Sequence, residues 1–270
     1  MIQAQENMIN EKGWAIVTGA SKGLGFAYCK ELLKKGFNVV GVARNTDTLD
    51  ELKTINPNVE IKKINLDLSS NESAMKLFEL TKDLNITLVI NNAGYGVLGK
   101  FTETDLEKEL NMINLNINCL HIISKLFIQK FQINNKGRII NIGSIASFIP
   151  GPGFSSYYAS KAYVLNLGVA INTELKKSKS KVRLVTVCPV LLKTDFLLRI
   201  TDGKKKANYS KFNSIDTNVF AKKSLNKAFK TNKNYIIIGK INKLVTLSFK
   251  LLPQKYFLNK IYKFQTKRKK

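Results

Sequence analysis

Short runs of apolar, mostly β-branched residues alternate along the chain with longer stretches whose apolar residues recur every three or four positions. The short runs predict strands. Because most are apolar throughout rather than alternating with polar residues, they predict parallel strands covered on both faces. The predicted strands are WAIVTG (14–19), FNVVGVA (37–43), VEIKKI (59–64), ITLVIN (86–91), GRIINIG (137–143), KVRLVTVC (181–188) and NYIIIG (234–239).

The longer stretches predict the helices that connect these strands. The sequence therefore predicts an α/β fold: one domain over residues 1–270 with a doubly wound, Rossmann-like parallel sheet of about seven strands and helices on both faces. The polar, charge-dense stretch at about 192–214 predicts a flexible lid or a solvated loop. The predicted helices are 23–35, 45–54, 70–83, 103–132, 155–177 and 217–230.

The charge of the chain is strongly positive and unevenly distributed. The formal net charge is +25, and from Arg199 onward only Asp202 and Asp216 oppose twenty Lys or Arg residues. The basic C-terminal segment, at about 240–270, has helical apolar spacing, a pattern typical of contact with an anionic membrane. The same pattern fits docking of the segment on the domain or on a second subunit equally well. A bias of the whole chain towards Lys, Asn and Ile also contributes to the positive charge. Nucleic acid ranks last as a partner, because no recognisable binding module is present.

The cysteines and the histidine point away from disulfides and metal sites. Cys29, Cys119 and Cys188 are isolated, so we expect reduced core thiols in a cytoplasmic protein. His121, the only histidine, lies in an apolar helical stretch, where we expect a structural role. No signal peptide or spanning helix is expected. The expected location is cytoplasmic, with peripheral contact at the inner face of a membrane through the basic tail.

A glycine-rich turn, TGASKGLG (18–25), joins the first predicted strand to its helix. Gly19, Gly23 and Gly25 permit a tight turn and a close approach of the backbone to a pyrophosphate. The positive end of the helix dipole favours such a phosphate. The turn therefore indicates a dinucleotide site.

Two basic residues bear on which dinucleotide binds. A carboxylate at the end of the second strand would bind the ribose of NAD, but here Ala43 and Arg44 occupy that position, and Lys22 lies inside the glycine turn. Basic residues at these positions favour the 2′-phosphate of NADP(H).

The stretch SSYYASKAYV (155–164) places two tyrosines, Tyr157 and Tyr158, within one helical turn of Lys161. Residues three and four apart are both neighbours on a helix, so geometry alone leaves both pairs open. Either pair would suit carbonyl reduction, because a neighbouring ammonium lowers the pKa of a phenol and eases proton transfer. Ser144 ends the fifth strand, where ligands of such sheets bind, and would donate a hydrogen bond to the substrate oxygen.

The order and spacing of these motifs resemble the short-chain dehydrogenase/reductase family, NADP(H)-preferring type, from Trp14 to about Phe196. Beside the glycine turn and Ser144, the resemblance rests on Asn-Asn-Ala-Gly at 91–94 and on the Tyr-xxx-Lys pattern. That pattern selects Tyr157 as proton donor and leaves Tyr158 to pack in the core or against another element. The resemblance also implies that Lys161 holds the nicotinamide ribose.

The resemblance implies further site residues. Asn116 would position a water beside the lysine, although two asparagines flank it, and completes a catalytic set with Tyr157, Lys161 and Ser144. Val190 stands where the family commonly has glycine, a departure that could shift the lid. No metal is expected. The implied cofactor site comprises Gly19, Ser21, Lys22, Gly23, Leu24, Gly25, Arg44, Asp67, Leu68, Asn92, Ala93, Gly94, Tyr157, Lys161, Pro189 and Thr194.

We therefore expect an NADPH-dependent oxidoreductase of the EC 1.1.1 type that reduces a carbonyl to an alcohol, with Tyr157 as proton donor. The carbonyl would be a lipophilic ketone, aldehyde or 3-oxoacyl compound, and the protein a dimer or tetramer. The alternatives are a non-catalytic NADP(H) sensor and a peripheral membrane or interaction protein that uses the basic tail. Mostly apolar residues flank the motifs, about half of them expected in the core: Tyr95, Leu98, Phe148, Phe154, Phe196 and Leu197.

Overall fold

Seven parallel strands form one sheet in the computed structural model, which describes residues 12–194, 196–200 and 214–269. The strand order is β3-β2-β1-β4-β5-β6-β7, so the direction of winding reverses between β1 and β4. The doubly wound parallel sheet predicted from the sequence is confirmed, although β7 is shorter than its apolar run. The strands are β1 Trp14–Thr18, β2 Asn38–Ala43, β3 Ile61–Asn65, β4 Ile86–Asn91, β5 Arg138–Ile142, β6 Arg183–Val187 and β7 Tyr235–Ile236.

Two of the predicted helical segments differ in type from the helices of the structure, and three α-helices lie outside the six predicted segments. Within 45–54 the structure has a 3-10 helix, Asp47–Leu52, rather than an α-helix. Within 103–132 a π-helix, Asn114–Cys119, joins two α-helices. The α-helices are α1 Gly23–Lys34, α2 Asn71–Leu80, α3 Leu106–Ile113, α4 Leu120–Ile133, α5 Ser155–Lys177, α6 Phe196–Ile200, α7 Thr217–Lys230, α8 Lys240–Leu251 and α9 Lys255–Lys269. The three outside the predicted segments are α6 in the predicted lid, and α8 and α9 in the basic C-terminal segment.

Local side-chain chemistry sets several helix ends. The side chain of Ser70 accepts a hydrogen bond from the amide of Ser73 (3.2 Å), and Asp105 accepts one from the amide of Lys108 (2.8 Å). These contacts satisfy N–H groups that have no partner within the first turn of α2 and α3. At the other end of α1, Gly36 adopts a φ of 79°, which glycine reaches without strain.

The core has two layers because β1 and its neighbours are buried on both faces. Alternate residues of β1 face opposite ways: Ala15 and Val17 pack with α1 and α7, whereas Ile16 packs with α2 and α4. A buried hydrogen bond of 2.8 Å between Tyr28 and Ser224 joins α1 to α7. This packing covers both faces of the sheet, which leaves the carboxyl ends of its strands to form a site.

Several predictions concern the chain as a whole. The three cysteines are buried free thiols, as expected. The described residues hold no group of three potential metal ligands, and none of their helices is both long and apolar enough to cross a membrane. The predicted lid at 192–214 falls largely on residues outside the described ranges. Of the described residues in this stretch, Leu192 forms a parallel β-bridge with Ile215, and Phe196–Ile200 form the short helix α6. The extent of the single domain stays a prediction.

Candidate active site

The ends of β1 and β4 are tied together at the point where the winding of the sheet reverses. The hydroxyl of Thr18 accepts hydrogen bonds from the amides of Asn92 (2.9 Å) and Ala93 (3.0 Å). The side-chain amide of Asn92 donates in return to the carbonyl of Thr18 at 2.9 Å. Asn91, one residue earlier, donates to Asn141 of β5 at 2.9 Å. The Asn-Asn-Ala-Gly stretch therefore holds three neighbouring strands in register at the mouth of the crevice.

The glycine turn forms a cradle of bare backbone beside this crevice. Gly19 and Gly23 have positive φ angles of 65° and 55°. A Cβ on Gly25 would lie 2.1 Å from the carbonyl oxygen of Gly19, and a Cβ on Gly19 would lie 3.0 Å from the Cα of Ala93. The hydroxyl of Thr48 donates to the carbonyl of Ser21 at 2.8 Å and fixes the turn from outside. Such a cradle fits a pyrophosphate.

One cavity of about 1000 Å³ runs from the glycine turn to the α5 helix. It is lined by most of the residues proposed for cofactor and substrate, including Ser144, Tyr157 and Lys161. Gly25 lies behind the turn and Asn116 behind Gly94, so neither lines the cavity. The predicted cofactor residues that line it are Gly19, Ser21, Lys22, Gly23, Leu24, Arg44, Asp67, Leu68, Asn92, Ala93, Gly94, Tyr157, Lys161, Pro189 and Thr194.

Lys22 and Arg44 are exposed at the rim of the cavity, on the side of the glycine turn. Asp67 lies on the same rim, where its carboxylate accepts a hydrogen bond of 3.0 Å from the amide of Ser69. At the end away from Tyr157 the cavity lining therefore combines the two cations with two carboxylates, Asp67 and Asp47.

Tyr157, Ser144 and Lys161 meet at the opposite end of the cavity. Tyr157 is almost fully buried and hydrogen-bonds to the side chain of Ser144. The ammonium of Lys161 donates to the carbonyl of Ile142 at 3.0 Å and lies 5.8 Å from the centre of the Tyr157 ring. Ser144 caps the 3-10 helix Ile145–Phe148 and accepts a hydrogen bond of 3.1 Å from the amide of Ala146.

The electrostatics of this group correct one expectation. We expected Lys161 to lower the pKa of Tyr157, but burial dominates and raises that pKa to about 12, with the Ser144 hydrogen bond acting in the opposite direction. Burial also lowers the pKa of Lys161 to about 8. Both side chains pay the cost of leaving water, which disfavours their charged forms. The phenol therefore keeps its proton at neutral pH.

Asn116 is fully buried in the π-helix, on the far side of Gly94. Its amide nitrogen donates to the carbonyl of Tyr95 and to Ser160, each at 3.0 Å, and its oxygen accepts from the amide of Tyr95 at 3.2 Å. A Cβ on Gly94 would lie 2.7 Å from that oxygen and 3.5 Å from the Lys161 ammonium. The structure thus places Asn116 near the lysine. A π-turn within a helix commonly marks a functional site.

Comparison with known proteins identifies the family. Residues 13–205 match the short chain dehydrogenase family. The chain belongs to the short-chain dehydrogenase family. The predicted family is confirmed.

Three similar proteins illustrate the range of the family. A very-long-chain 3-oxoacyl-CoA reductase of Coccidioides immitis is 34% identical over 182 residues, 64% of this chain and 52% of the relative. A 7beta-hydroxysteroid dehydrogenase of Mediterraneibacter gnavus is 30% identical over 177 residues, 64% of this chain and 67% of the relative. A solved short-chain dehydrogenase from Sphingobium yanoikuyae, in complex with NADPH, has a TM-score of 0.75 and 26% identity, covering 87% of this chain and 92% of its own. The chain spans about half the length of the 3-oxoacyl-CoA reductases it matches.

Tyr158 packs against another element of the fold, as expected. Its ring lies over Gly151, where a Cβ would come within 2.4 Å of it. Its hydroxyl accepts a hydrogen bond of 3.1 Å from Gln265 of α9. Gln265 and its neighbour Phe264 line the cavity. Sequence reasoning missed both, because the contact joins residues 107 apart and amphipathic spacing does not say what a helix packs against.

The apolar residues that flank the motifs divide between cavity and core. Phe154 stacks on Tyr157 with ring centres 4.4 Å apart, and Phe196 lies 5.7 Å from the same ring. Tyr95 also lines the cavity, whereas Phe148 packs on Tyr235 outside it. Leu98 packs against the cluster around Tyr157, and the side chain of Leu197 lies outside the described set. An apolar wall therefore surrounds the proton donor predicted from the sequence.

The turn after β6 reaches the glycine turn despite its departure from the family pattern. Pro189, Val190 and Thr194 all line the cavity. The side chain of Thr194 approaches the place that a Cβ on Gly23 would occupy, at 3.4 Å. Val190 therefore lines the same cavity as Thr194.

Proposed function

We propose that the chain is an NADPH-dependent reductase that converts a lipophilic carbonyl compound to its alcohol. The observation that carries the proposal is the single cavity that connects the glycine cradle and its basic rim to a buried Tyr157. A cavity of about 1000 Å³ is large enough for a dinucleotide end and a substrate of moderate size.

The residues present fit the cofactor. The bare backbone of the glycine turn would hold the pyrophosphate, and Arg44 with Lys22 would meet the 2′-phosphate. Asp67 would lie by the adenine, and Thr194 would reach the nicotinamide carboxamide, as the family resemblance implies. When bound, NADPH supplies a hydride to the carbonyl carbon. The basic rim, and the NADPH bound by the Sphingobium yanoikuyae neighbour, support this choice of cofactor.

The proton comes from this chain's own residues. Because burial raises the pKa of Tyr157 to about 12, the phenol is protonated at neutral pH, the form that reduction requires. The proton passes from the Tyr157 hydroxyl to the carbonyl oxygen, and Ser144 donates a hydrogen bond to the same oxygen. Lys161 replaces the proton, aided by a water that Asn116 positions. Carbon gains the hydride, oxygen gains the proton, and the product is an alcohol.

The substrate class follows from the wall around Tyr157. Phe154, Phe196 and Phe264 offer apolar surface and no charge to the reacting carbonyl. Two of the relatives named above are a very-long-chain 3-oxoacyl-CoA reductase and a 7beta-hydroxysteroid dehydrogenase, which supports a lipophilic ketone, aldehyde or 3-oxoacyl compound here.

A substrate panel tests the proposal. Oxidation of NADPH is followed at neutral pH with 2-butanone, 2-decanone, decanal, a steroid ketone and a 3-oxoacyl thioester, with NADH in parallel. We expect turnover with NADPH and greater kcat/KM for 2-decanone than for 2-butanone. Failure of every carbonyl while NADPH binds would contradict the reductase. That outcome would favour the second candidate, a non-catalytic NADP(H) sensor, which the Val190 departure supports.

The assembly and location complete the proposal. We infer a homo-oligomer, dimer or tetramer, in the cytoplasm, with peripheral contact between the basic C-terminal segment and an anionic membrane. The exposure of apolar and basic side chains on α8 and α9 supports the contact. Sedimentation equilibrium would test the oligomer, and a monomer at micromolar concentration would contradict it.

A further inference from the structure

The helix α8 presents a largely apolar face to solvent, which Ser248 interrupts. Ile241, Leu244 and Leu251 are 61%, 65% and 71% exposed. Successive residues are about 100° apart on a helix, so positions spaced by three, four and seven share one side. An apolar face of this kind on a folded protein marks an interaction surface. The large exposed apolar residues of α8, together with Leu252 just after it, are Ile241, Leu244, Val245, Leu247, Leu251 and Leu252.

The opposite side of α8 is anchored to the domain. Thr246 is 3% exposed, and Phe249 packs edge-on against Phe257 of α9 with ring centres 5.0 Å apart. The helix also packs on the 3-10 helix Ile145–Phe148, which begins next to Ser144. The exposed face therefore belongs to a helix whose inner side contacts the segment that follows Ser144.

The charge around this face identifies the partner. No Asp or Glu follows Asp216 in the chain, and Lys240, Lys243 and Lys255 are exposed on or beside α8. Burial and the nearby ammonium groups of Lys243 and Lys233 lower the pKa of Lys227. Such crowding of positive charge favours an anionic partner, and the apolar face requires one with an apolar interior. An anionic lipid bilayer provides both.

The helix α9 links this surface to the cavity. It follows α8 after a short turn, and its Phe264 and Gln265 line the cavity beside Tyr158. We propose that the apolar face of α8 inserts into the headgroup region of an anionic bilayer and holds the substrate end of the cavity at the lipid surface. Carbonyl compounds dissolved in the bilayer would enter past α9. The entry of substrate, but not the docking, rests on the proposed function.

Vesicle sedimentation tests the docking directly. The full chain is spun with vesicles of phosphatidylcholine, or of phosphatidylcholine with 30% phosphatidylserine, at about 150 mM salt. We expect binding to the anionic vesicles only. The double variant Leu244→Glu/Leu251→Glu should lower the bound-to-free ratio by at least roughly tenfold, because it removes two inserted side chains and adds two charges. Ile133→Glu, at an even more exposed apolar position at the end of α4, should bind like the unaltered chain.

Three results would overturn the docking proposal. The first is the absence of wild-type binding to anionic vesicles, and the second is equal binding by the double variant. The third is a dimer that the double variant dissociates while vesicles bind neither protein, which would make the face an interface between copies.

A kinetic arm separates the docking from the reductase. Turnover of water-soluble 2-butanone needs no lipid, so it measures the reductase activity independently of the docking. With 2-decanone presented in anionic vesicles, the double variant should show a KM raised several-fold and an unchanged kcat. An unchanged KM would refute delivery through lipid, even where vesicles bind.

Discussion

The buried ammonium of Lys161 predicts a pH dependence of stability that one substitution should remove. Burial lowers the pKa of Lys161 from its usual 10.5 to about 8. Between pH 8 and 10.5 the unfolded chain therefore binds more protons at this site than the native chain. The free energy of unfolding rises with pH wherever that is so. The contribution of Lys161 to the stability of the folded state is therefore least favourable below pH 8 and becomes more favourable as the pH rises.

The magnitude follows from the size of the shift. Each pH unit within the window is worth about 1.4 kcal/mol, so the site contributes about 2.5 kcal/mol between pH 7 and pH 10. Lys161→Met keeps a side chain of similar length and removes the titration. The variant also leaves the carbonyl of Ile142 without its 3.0 Å donor. That loss changes the free energy of unfolding of the variant by the same amount at both pH values, so it cancels in the comparison.

Urea unfolding at pH 7 and pH 10 measures the effect. We expect the free energy of unfolding of the unsubstituted protein, relative to that of Lys161→Met, to rise by about 2.5 kcal/mol between the two pH values. The matched control, Lys222→Met on the exposed side of α7, should show no comparable change. If the difference in free energy of unfolding between the unsubstituted protein and Lys161→Met stays constant within about 0.5 kcal/mol, the reasoning is refuted, since the pKa of Lys161 is then not lowered.

Three other substitutions test separate parts of the site. Gly94→Ala should cost about 1–3 kcal/mol in urea unfolding, because its Cβ would displace the oxygen of Asn116. The double variant with Asn116→Ala should cost less than the sum, and strict additivity would argue against this contact. Arg44→Asp should raise the Kd of NADPH at least roughly tenfold and favour NADH, and an unchanged preference would remove Arg44 from the phosphate site. Gln265→Ala should release Tyr158 and raise KM for 2-decanone while kcat for 2-butanone stays the same. Equal effects on both ketones would indicate a general structural role.

Much of the fold could be predicted from local patterns. Apolar runs and helical spacing identify the strands and most helices, since both faces of a parallel sheet must be covered. The shortness of β7 and the π-helix at Asn114–Cys119 could not be predicted. Both depend on packing against distant elements: the buried side chain of Asn116, for example, is held by Tyr95 and Ser160.

The site was predictable where a motif carries the chemistry and not where tertiary packing does. Ser144, Tyr157 and Lys161 stand at intervals that chance does not explain. The pKa of Tyr157 was misjudged, because sequence spacing reveals a neighbouring cation but not the burial of both groups. Gln265 carries no local signal, since its role comes from a hydrogen bond to Tyr158 across the fold.

The reduction step itself can be tested with two adjacent tyrosines. Tyr157→Phe removes the hydroxyl that hydrogen-bonds to Ser144, whereas Tyr158→Phe removes the one that accepts from Gln265. The decisive measurement is NADPH oxidation with the best carbonyl of the panel, together with NADPH affinity by fluorescence titration. We predict that Tyr157→Phe lowers kcat by about a thousandfold with NADPH affinity little changed, and that Tyr158→Phe retains most activity. Full activity in Tyr157→Phe, or its loss in Tyr158→Phe alone, would contradict Tyr157 as the proton donor.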